Sequence, residues 1–481
     1  MISLLPKKPT FLFYDYETFG VHTFLDRPAQ FACVRTDMDL NIIGIPECFY
    51  CRIVDDYLPD PHAVLITKIT PQYTEKHGID EHNFSKKIFN IFKEPYTCII
   101  GYNNIYFDDE ITRNMFYRNF FDPYEWSWKN GNSRWDILPL LRACYALRPT
   151  GIKWPKNNLG LVSFKLEDLT EINNIHHTKT HDAMSDVYAT IAMARLIKKN
   201  HPKLFDFFFY NRKKNHLYKL VNCESYIPMI YISSFFGAAR YNATCILPII
   251  WHKHNKNILI AIDLSKDIEK LIVLCNTSSV DEEYAKILLI SGVILLYFNR
   301  CPILAPMQVL TSKDLKRLKF DMVLYQKNIM LLKKNLHVYK IIQNIFSQQT
   351  NIKKSSNVDV QLYNAFFDCH DKKIITSIRN TKPSLLKNID CNFHDMRLKQ
   401  LLFRYRARNF FYSLNQDEKK IWYKHCLNCF EPIIFNQYIS TIQDMLIQQN
   451  VDKKKSELLK SVLTYALKKY KTLFYLHFNV H

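Results

Sequence analysis

Residues 11–20 read FLFYDYETFG, an apolar and aromatic run that carries two carboxylates, Asp15 and Glu17, two positions apart. The run of Phe, Leu and Tyr, closed by Gly20, predicts a strand. In a strand, residues i and i+2 point to the same face, so the two carboxylates would stand side by side. Like charges that close need a cation. Hard divalent ions such as Mg²⁺ take oxygen ligands, and two of them held about 4 Å apart can activate a water and stabilise a leaving phosphate oxygen. The D-x-E triplet alone decides little, because it occurs four times, beginning at Asp15, Asp108, Asp267 and Asp281. Alone, it is equally the polar end of a strand.

Working outward, the next carboxylate in a similar setting is in NNIYFDDE, where Asp108 follows the apolar run CIIGY (98–102) at the expected start of a helix. The pattern N-x-x-F-D recurs at Asn364 to Asp368, but only the first copy follows a strand within an α/β region. A third piece is THDAMSDVYATIAMARLIKK from Thr180, with His181 and Asp186 five apart. The same spacing joins His177 to Asp182 and His201 to Asp206. Ala183, Val187, Ile191 and Ala194 form a helical apolar stripe, which places Asp186 in the first turns of a helix and His181 in the loop before it. With an ordinary pKa of about 6.5, such a histidine can take a proton from an attacking water at neutral pH. Each residue has a plainer reading: Asp15 and Glu17 as a strand end, Asp108 and Asp182 as helix caps, His181 as surface loop. Against those readings stands the order D-x-E, then D, then H-x-x-x-x-D within one α/β region.

The whole chain has 481 residues, 48% hydrophobic and 23% charged, more than one core usually holds, so two or three globular domains are expected. Lys and Arg number 65 against 45 Asp and Glu, a net charge of +20 that favours polyanions such as nucleic acid. An AT-rich coding sequence would enrich Lys, Asn and Ile in the same way. MISLLPKKPT has no sustained apolar core, and ILLISGVILLYF (287–298) is too short to span a bilayer, so neither a secretory leader nor a membrane helix is expected. Thirteen Cys show no disulfide rhythm, which points to a reducing cytosol. Two close pairs, Cys48 with Cys51 and Cys426 with Cys429 beside His425, lack a second pair at zinc spacing and are expected to be buried thiols. Strand and helix patterns alternate to about residue 200. Strand signals such as ILIAIDL (258–264) and VILLYF (293–298) then recur to about 345, SQQTNIKKSSN (347–357) reads as a linker, and a helical pattern follows.

The order of acids and histidine resembles the DEDD exonucleases with histidine in the third motif. Longer strings resemble the bacterial exonuclease I family: DYETFG, LDRPAQFA (25–32), YLPDPHAVLITKITPQ (57–72), GYNNIYFDDEITRNMFYRNFFDPYEWSW (101–128), NSRWDILPLLRACYALRP (132–149), HDAMSDVYATIAMA (181–194), NVDVQLYNAFF (357–367) and LLFRYRARNF (401–410). The match is dense before residue 200 and looser from about 241 to 345. The resemblance implies a ribonuclease H-like α/β exonuclease domain over 1–200, a small β-rich SH3-like domain over 201–354 and an all-α C-terminal domain over 355–481, together a C-shaped clamp. It implies a monomeric enzyme that processively removes 5′-mononucleotides from the 3′ end of single-stranded DNA with two Mg²⁺ ions, Mn²⁺ substituting, in DNA repair. Asp15, Glu17, Asp108 and Asp186 match the metal-binding acids and His181 the general base, and Thr18 is expected to help seat the terminal nucleotide.

Single strands are held by basic grooves with aromatic faces for base stacking. Arg113, Tyr124, Trp128 and Arg142 match the strand-contacting region of the family, whereas Phe116 and Phe120 are expected in the core. Tyr363, Phe366 and Phe367, with Arg404, Arg406 and Arg408, are further candidates to carry the strand. Lys165 stands where the family usually has Arg, which keeps the charge and loses the bidentate fork for phosphate. The family also docks the acidic C-terminal tail of single-stranded-DNA-binding protein, and Arg148 and Phe207 match that pocket. An oligoribonuclease-like or proofreading nuclease, or a single-strand-binding protein with an inert site, are the alternatives.

Overall fold

The computed structural model describes residues 8–177, 180–276, 282–348, 355–389, 392–449 and 452–479. Most of the expected linker, 349–354, and the triplet start Asp281 lie outside the described residues. The chain divides into two compact units interleaved in sequence, one of residues 1–133, 178–188 and 353–481, the other of residues 134–177 and 189–352.

In the first unit the opening stretch forms β1 (Thr10–Thr18). It pairs antiparallel with β2 (Pro28–Thr36), which pairs with β3 (Glu47–Tyr50), and runs parallel to β4 (Thr97–Gly101), in the order β3-β2-β1-β4. Leu12, Tyr14 and Tyr16 face a core with Phe31, Phe84, Phe92, Met115, Phe116 and Trp126, most of it supplied by the helices Glu81–Phe92 and Asp108–Arg118. Fully burying one such aliphatic or phenyl side chain contributes roughly 1.5–3 kcal/mol, which makes β1 the keel of this unit. By the period of two, Phe11, Phe13, Asp15 and Glu17 share the other face. Parallel pairing with β4 stops at Phe13, opposite Ile100, while pairing with β2 runs on to Thr18 through an irregularity between Glu17 and Thr18. Asp15 and Glu17 therefore occupy the part of β1 that overhangs β4, at the carboxyl end of parallel strands, where open α/β sheets leave a crevice.

After residue 355 the described residues contain helices and no strand, as the periodicity predicts. Ile442, Met445, Leu459, Val462 and Tyr465 from the helices Pro432–Gln448 and Lys453–Asn479 pack with Phe19, Ala29, Ile53 and Val64 in one core. The helix Arg397–Asn409 overturns one expectation: Arg404, Arg406 and Arg408 are buried and carry no exposed path for a strand. The Arg408 side chain is 2% exposed; its guanidinium donates to Asp56 Oδ2 at 2.6 Å and also pairs with Asp359. Arg404 donates to Asp359 Oδ2 at 3.0 Å, and Arg406 to Glu418 Oε1 at 2.6 Å. Burial opposes the Asp359 charge, but Arg408, with Arg27 and Arg404, holds its carboxyl well below the usual carboxylate range. The charges are spent inside the fold.

β5 (Ser133–Asp136) leads into the helix Ile137–Leu147, whose first turn Asp136 caps by accepting from the Leu138 N–H at 3.0 Å. In the second unit β6 (Met229–Ile232), β7 (Ala243–Trp251), β8 (Ile258–Asp263), β9 (Val293–Tyr297) and β10 (Ile303–Pro306) form an antiparallel sheet in the order β10-β6-β7-β8-β9. Pro248, which cannot donate to a ladder, sits at the register shift of β7. Helices cover this sheet. Ile268, Leu271, Leu332, Val338, Ile342 and Ile345 pack on Cys245, Leu247, Ile260 and Ile262. The run ILLISGVILLYF is neither one strand nor one helix. It splits into the end of the helix Glu282–Ile290 and β9, with Gly292 at φ +117° supplying the turn between them. The paired cysteines also depart from expectation: Cys51 and Cys426 are buried, but Cys48 and Cys429 are exposed, because the spacing of three in a strand end or a helix turn puts the partners in different surroundings.

Candidate active site

Asp15, Glu17 and Asp186 each offer a carboxylate oxygen, and these atoms all lie within 4.8 Å of one another. The fourth acid, Asp108, opens the helix Asp108–Arg118. Its Oδ1 accepts the Tyr16 backbone N–H at 3.2 Å, a donor on the stretch of β1 that has run past β4. Asp108 is thus held on the backbone between Asp15 and Glu17 and is not a helix cap. The turn before it is built tightly: Asn104 Oδ1 accepts from Gly101 N at 3.0 Å, and a Cβ on Gly101 would lie 2.7 Å from the Asn104 Cβ. Asp109, fully buried, accepts from Tyr14 Oη at 2.5 Å and from Asn104 Nδ2 at 3.2 Å, tying the start of the helix to β1.

Asp186 lies in the first turn of the helix Ala183–Asn200, and the stripe of Ala183, Val187, Ile191 and Ala194 is buried as expected. Asp182 caps that helix, its Oδ1 accepting from Ser185 N at 3.1 Å. Gln30, opposite Glu17 on β2 and 1% exposed, fixes the helix start to the sheet. Its Oε1 accepts from Ala183 N at 3.2 Å and its Nε2 donates to Asp182 Oδ2 at 3.4 Å. Neither Gln30 nor Asp109 was singled out from sequence. An amide inside the apolar strand PAQFACV and the Asp-Asp doublet in NNIYFDDE were the available signals. His181 is exposed in the turn before the helix, with φ +62°. A left-handed backbone is uncommon for a residue other than glycine, and such conformations cluster at functional sites.

Burial, reinforced by Asp108, Glu17 and Asp186, pushes the Asp15 carboxyl well above the carboxylate range. Burial, with Asp186 and Asp108 next, pushes Glu17 up to about 8. Both shifts come first from burial of the carboxyl groups and then from the negative charge of their neighbours. The donors are all carboxylate oxygens, which suits hard divalent cations such as Mg²⁺ or Mn²⁺ and not soft ones. The same four side chains could hold such ions.

The remaining sequence-derived residues divide by surroundings. The Thr18 hydroxyl donates to Gly20 O at 2.6 Å. Arg113 donates to Glu110 Oε1 at 2.6 Å and lies 5.8 Å from the Tyr124 ring, and Tyr124 in turn lies 5.7 Å from Phe366. Tyr363 donates to Glu110 Oε2 at 2.5 Å. Trp128 is 65% and Phe366 81% exposed, leaving their aromatic faces open, while Phe367 is stacked on Tyr117. Phe116 and Phe120 are core residues, as expected. In the second unit, Arg142 lies 5.7 Å from the Phe164 ring, and exposed Lys165 reaches Glu167 at 4.0 Å. Arg148 donates to Val309 O at 2.9 Å with Asp314 at 3.9 Å, and Phe207, half-buried on the helix Pro202–Asn211, packs 5.1 Å from Phe208.

This arrangement has counterparts among known proteins. A model of an exonuclease domain matches residues 12–194, a model of the exonuclease I SH3-like domain matches 212–348, and one of the exonuclease I C-terminal domain matches 356–469. The chain is 57% identical over 481 residues to exodeoxyribonuclease I of Buchnera aphidicola subsp. Schizaphis graminum, covering 100% of both. It is 47% identical over 466 residues to exodeoxyribonuclease I of Escherichia coli K12, covering 96% of this chain and 98% of that one. Among solved structures, E. coli exonuclease I in complex with a dA16 oligonucleotide superposes with a TM-score of 0.91 at 44% identity, over 96% of this chain and 100% of that one. An exonuclease I complex with SSB-Ct gives 0.89 at 45% identity, over the same shares of 96% and 100%. With all three domain models in order and relatives matched from end to end, the chain belongs to the exonuclease I family.

Proposed function

We propose that this protein is an exodeoxyribonuclease that degrades single-stranded DNA processively from the 3′ end to 5′-mononucleotides. Asp15, Glu17, Asp108 and Asp186 would hold two divalent cations, Mg²⁺ with Mn²⁺ able to substitute. One observation carries the reading: three carboxylates converge within 4.8 Å at the end of β1, in a chain whose relatives are exodeoxyribonucleases I. When bound, the cations supply positive charge that offsets the carboxylates and the charge developing on the phosphate. His181 accepts a proton from the attacking water, whose oxygen bonds to the phosphorus of the terminal linkage. The bond from phosphorus to the 3′ oxygen of the preceding nucleotide breaks, and that oxygen stays on the shortened strand. Asp108, held on the Tyr16 N–H, and Asp186, placed through Gln30 and Asp182, keep the acids converged.

Arg113, Tyr124, Trp128, Arg142 and Lys165 are assigned to the strand, with base stacking on the exposed rings worth roughly 1–3 kcal/mol each. Arg148 and Phe207 are assigned to the acidic C-terminal tail of single-stranded-DNA-binding protein. The functional division follows residues 1–200, 201–354 and 355–481. A monomer working in cytosolic DNA repair is the setting that fits. The described cysteines are all free thiols, and among the described residues no helix is long and apolar enough to cross a membrane.

The test uses single-stranded DNA labelled at its 5′ end, with Mg²⁺ or with EDTA. Metal-dependent shortening from the 3′ end, with a blunt duplex little attacked, is expected. Preference for RNA would favour an oligoribonuclease, and binding without cleavage a strand-binding protein.

A further inference from the structure

One cysteine of the pair that sequence spacing leaves without a role, Cys429, lies in a second constellation, within the first unit and outside the nuclease site. His425 and Cys429 are four apart on the helix Gln416–Cys429, so they share a face. That face meets Asp56. His425 Nε2 lies 3.2 Å from Asp56 Oδ2 and 3.7 Å from Cys429 Sγ, and one ligand atom from each of the three lies within 4.8 Å of the others.

Two features separate this group from an ordinary hydrogen-bonded cluster. Carboxylate and thiol converge on the same ring nitrogen, Nε2. A Cys–His–Asp relay needs them on opposite nitrogens, so nucleophilic catalysis does not fit. A single Nε2 also cannot satisfy both partners with one proton or one lone pair, whereas a cation at their common centre satisfies all three. The two distances to Nε2 fit as well. Metal bonds of about 2.0–2.3 Å to nitrogen, oxygen and sulfur at tetrahedral angles place N and O about 3.3 Å apart and N and S about 3.6 Å apart.

We propose that Asp56, His425 and Cys429 form a binding site for a borderline-soft divalent transition metal of the Zn²⁺ type, distinct from the all-carboxylate site on β1. One oxygen, one imidazole nitrogen and one thiolate select against Mg²⁺ and Ca²⁺, which prefer oxygen alone. Three protein ligands leave a fourth position for water. The approach is open, since Cys429 is exposed and the His425 side chain 21% exposed, while Asp56 is buried. The surroundings orient the ligands: the His425 ring packs 5.1 Å from Trp422, and Arg408 holds the Asp56 carboxylate through Oδ1 at 3.1 Å and Oδ2 at 2.6 Å. A hydrogen-bonded ligand carboxylate is the usual outer-shell arrangement, and four lone-pair positions leave room for both partners. The positive charge of Arg408 weakens the site, but Asp359 shares that guanidinium. The bound metal would tie the segment around Asp56 to the C-terminal helices.

The test is a Cd²⁺ titration of the full-length protein in excess Mg²⁺, following the ultraviolet thiolate-to-metal charge-transfer band, with Zn²⁺ uptake measured in parallel by equilibrium dialysis. One equivalent with a thiolate band is expected for the wild type and also for Asp15→Asn, which disables the β1 site. Cys429→Ser should lose the band, His425→Gln should bind at least about tenfold more weakly, given that even outer-shell losses cost about 10–100-fold, and Cys369→Ser, altered at an exposed thiol elsewhere, should match the wild type. Nuclease activity should persist in all three thiol and imidazole variants. The proposal is overturned if the wild type gives no thiolate band, if the band survives in Cys429→Ser, or if Zn²⁺ uptake is lost only in Asp15→Asn.

Discussion

Neutralising one acid of the β1 cluster should make the metal-free protein more stable while abolishing its activity. With the ligand oxygens of Asp15, Glu17 and Asp186 within 4.8 Å, each fully charged pair costs roughly 3.5 kcal/mol at an effective dielectric constant of about 20. Asp15 enters two such pairs. The protein escapes part of that cost by retaining protons, as burial and neighbouring charge raise Asp15 and take Glu17 up to about 8. The gain expected from Asp15→Asn at pH 8 without metal is therefore about 1–3 kcal/mol, the equivalent of one to two pKa units. The sign follows from folding raising these pKa values: their contribution is full below the unfolded value and is lost as pH rises through the folded one, about 8 for Glu17. Unfolding midpoints in EDTA and in Mg²⁺ test this. The wild type should gain stability in EDTA as pH falls from 8 toward 5, and should gain more from Mg²⁺ at pH 8 than at pH 5. Asp15→Asn should start higher in EDTA and respond little to Mg²⁺. A variant that unfolds at or below the wild-type midpoint in EDTA, yet keeps the full Mg²⁺ response, would refute the reasoning.

Three further outcomes are expected. Gln30→Leu leaves the Asp182 carboxylate and the Ala183 N–H without their amide partner, a loss of about 1–3 kcal/mol; kcat should fall at least about tenfold with helix content by circular dichroism unchanged. Arg408→Ala strands Asp56 and Asp359 in the interior and should destabilise by about 3–5 kcal/mol in denaturant unfolding. The arginines hold both acids below their ordinary range, so the wild-type contribution is present above about pH 4 and fades as pH falls through their folded values, a dependence the variant should lose. Lys165→Arg restores a bidentate fork for phosphate and should tighten single-stranded-DNA binding severalfold at constant salt; unchanged affinity would show that the ammonium serves equally well.

What was readable in the sequence was what local periodicity governs. Asp15 and Glu17 share a face because a strand alternates, and Asp186 sits one turn into a helix because its apolar stripe repeats every three or four residues. Whether those two pieces meet depends on the register that sets Gln30 opposite Glu17 and on the bond from Gln30 to the helix start. No local pattern encodes that register. Arg404, Arg406 and Arg408 were misread for the same reason: in LLFRYRARNF they look like a basic stripe, and only distant Asp56, Asp359 and Glu418 turn them inward. The apolar run 287–298 was ambiguous because a buried strand and a buried helix share a composition, and Ser291-Gly292 was the only mark of its division. Cys429 was expected to be buried because its spacing from Cys426 says nothing of which face of the helix looks outward.

The most direct test of the active-site assignment is the rate of nucleotide release from 5′-labelled single-stranded DNA by Asp186→Asn beside the wild type, at saturating Mg²⁺ and with enzyme in excess. Loss of a ligand carboxylate that supports several kcal/mol of charge stabilisation should slow release by about 10³-fold or more, with the strand still bound. Release at the wild-type rate would contradict the placing of the catalytic centre at the end of β1.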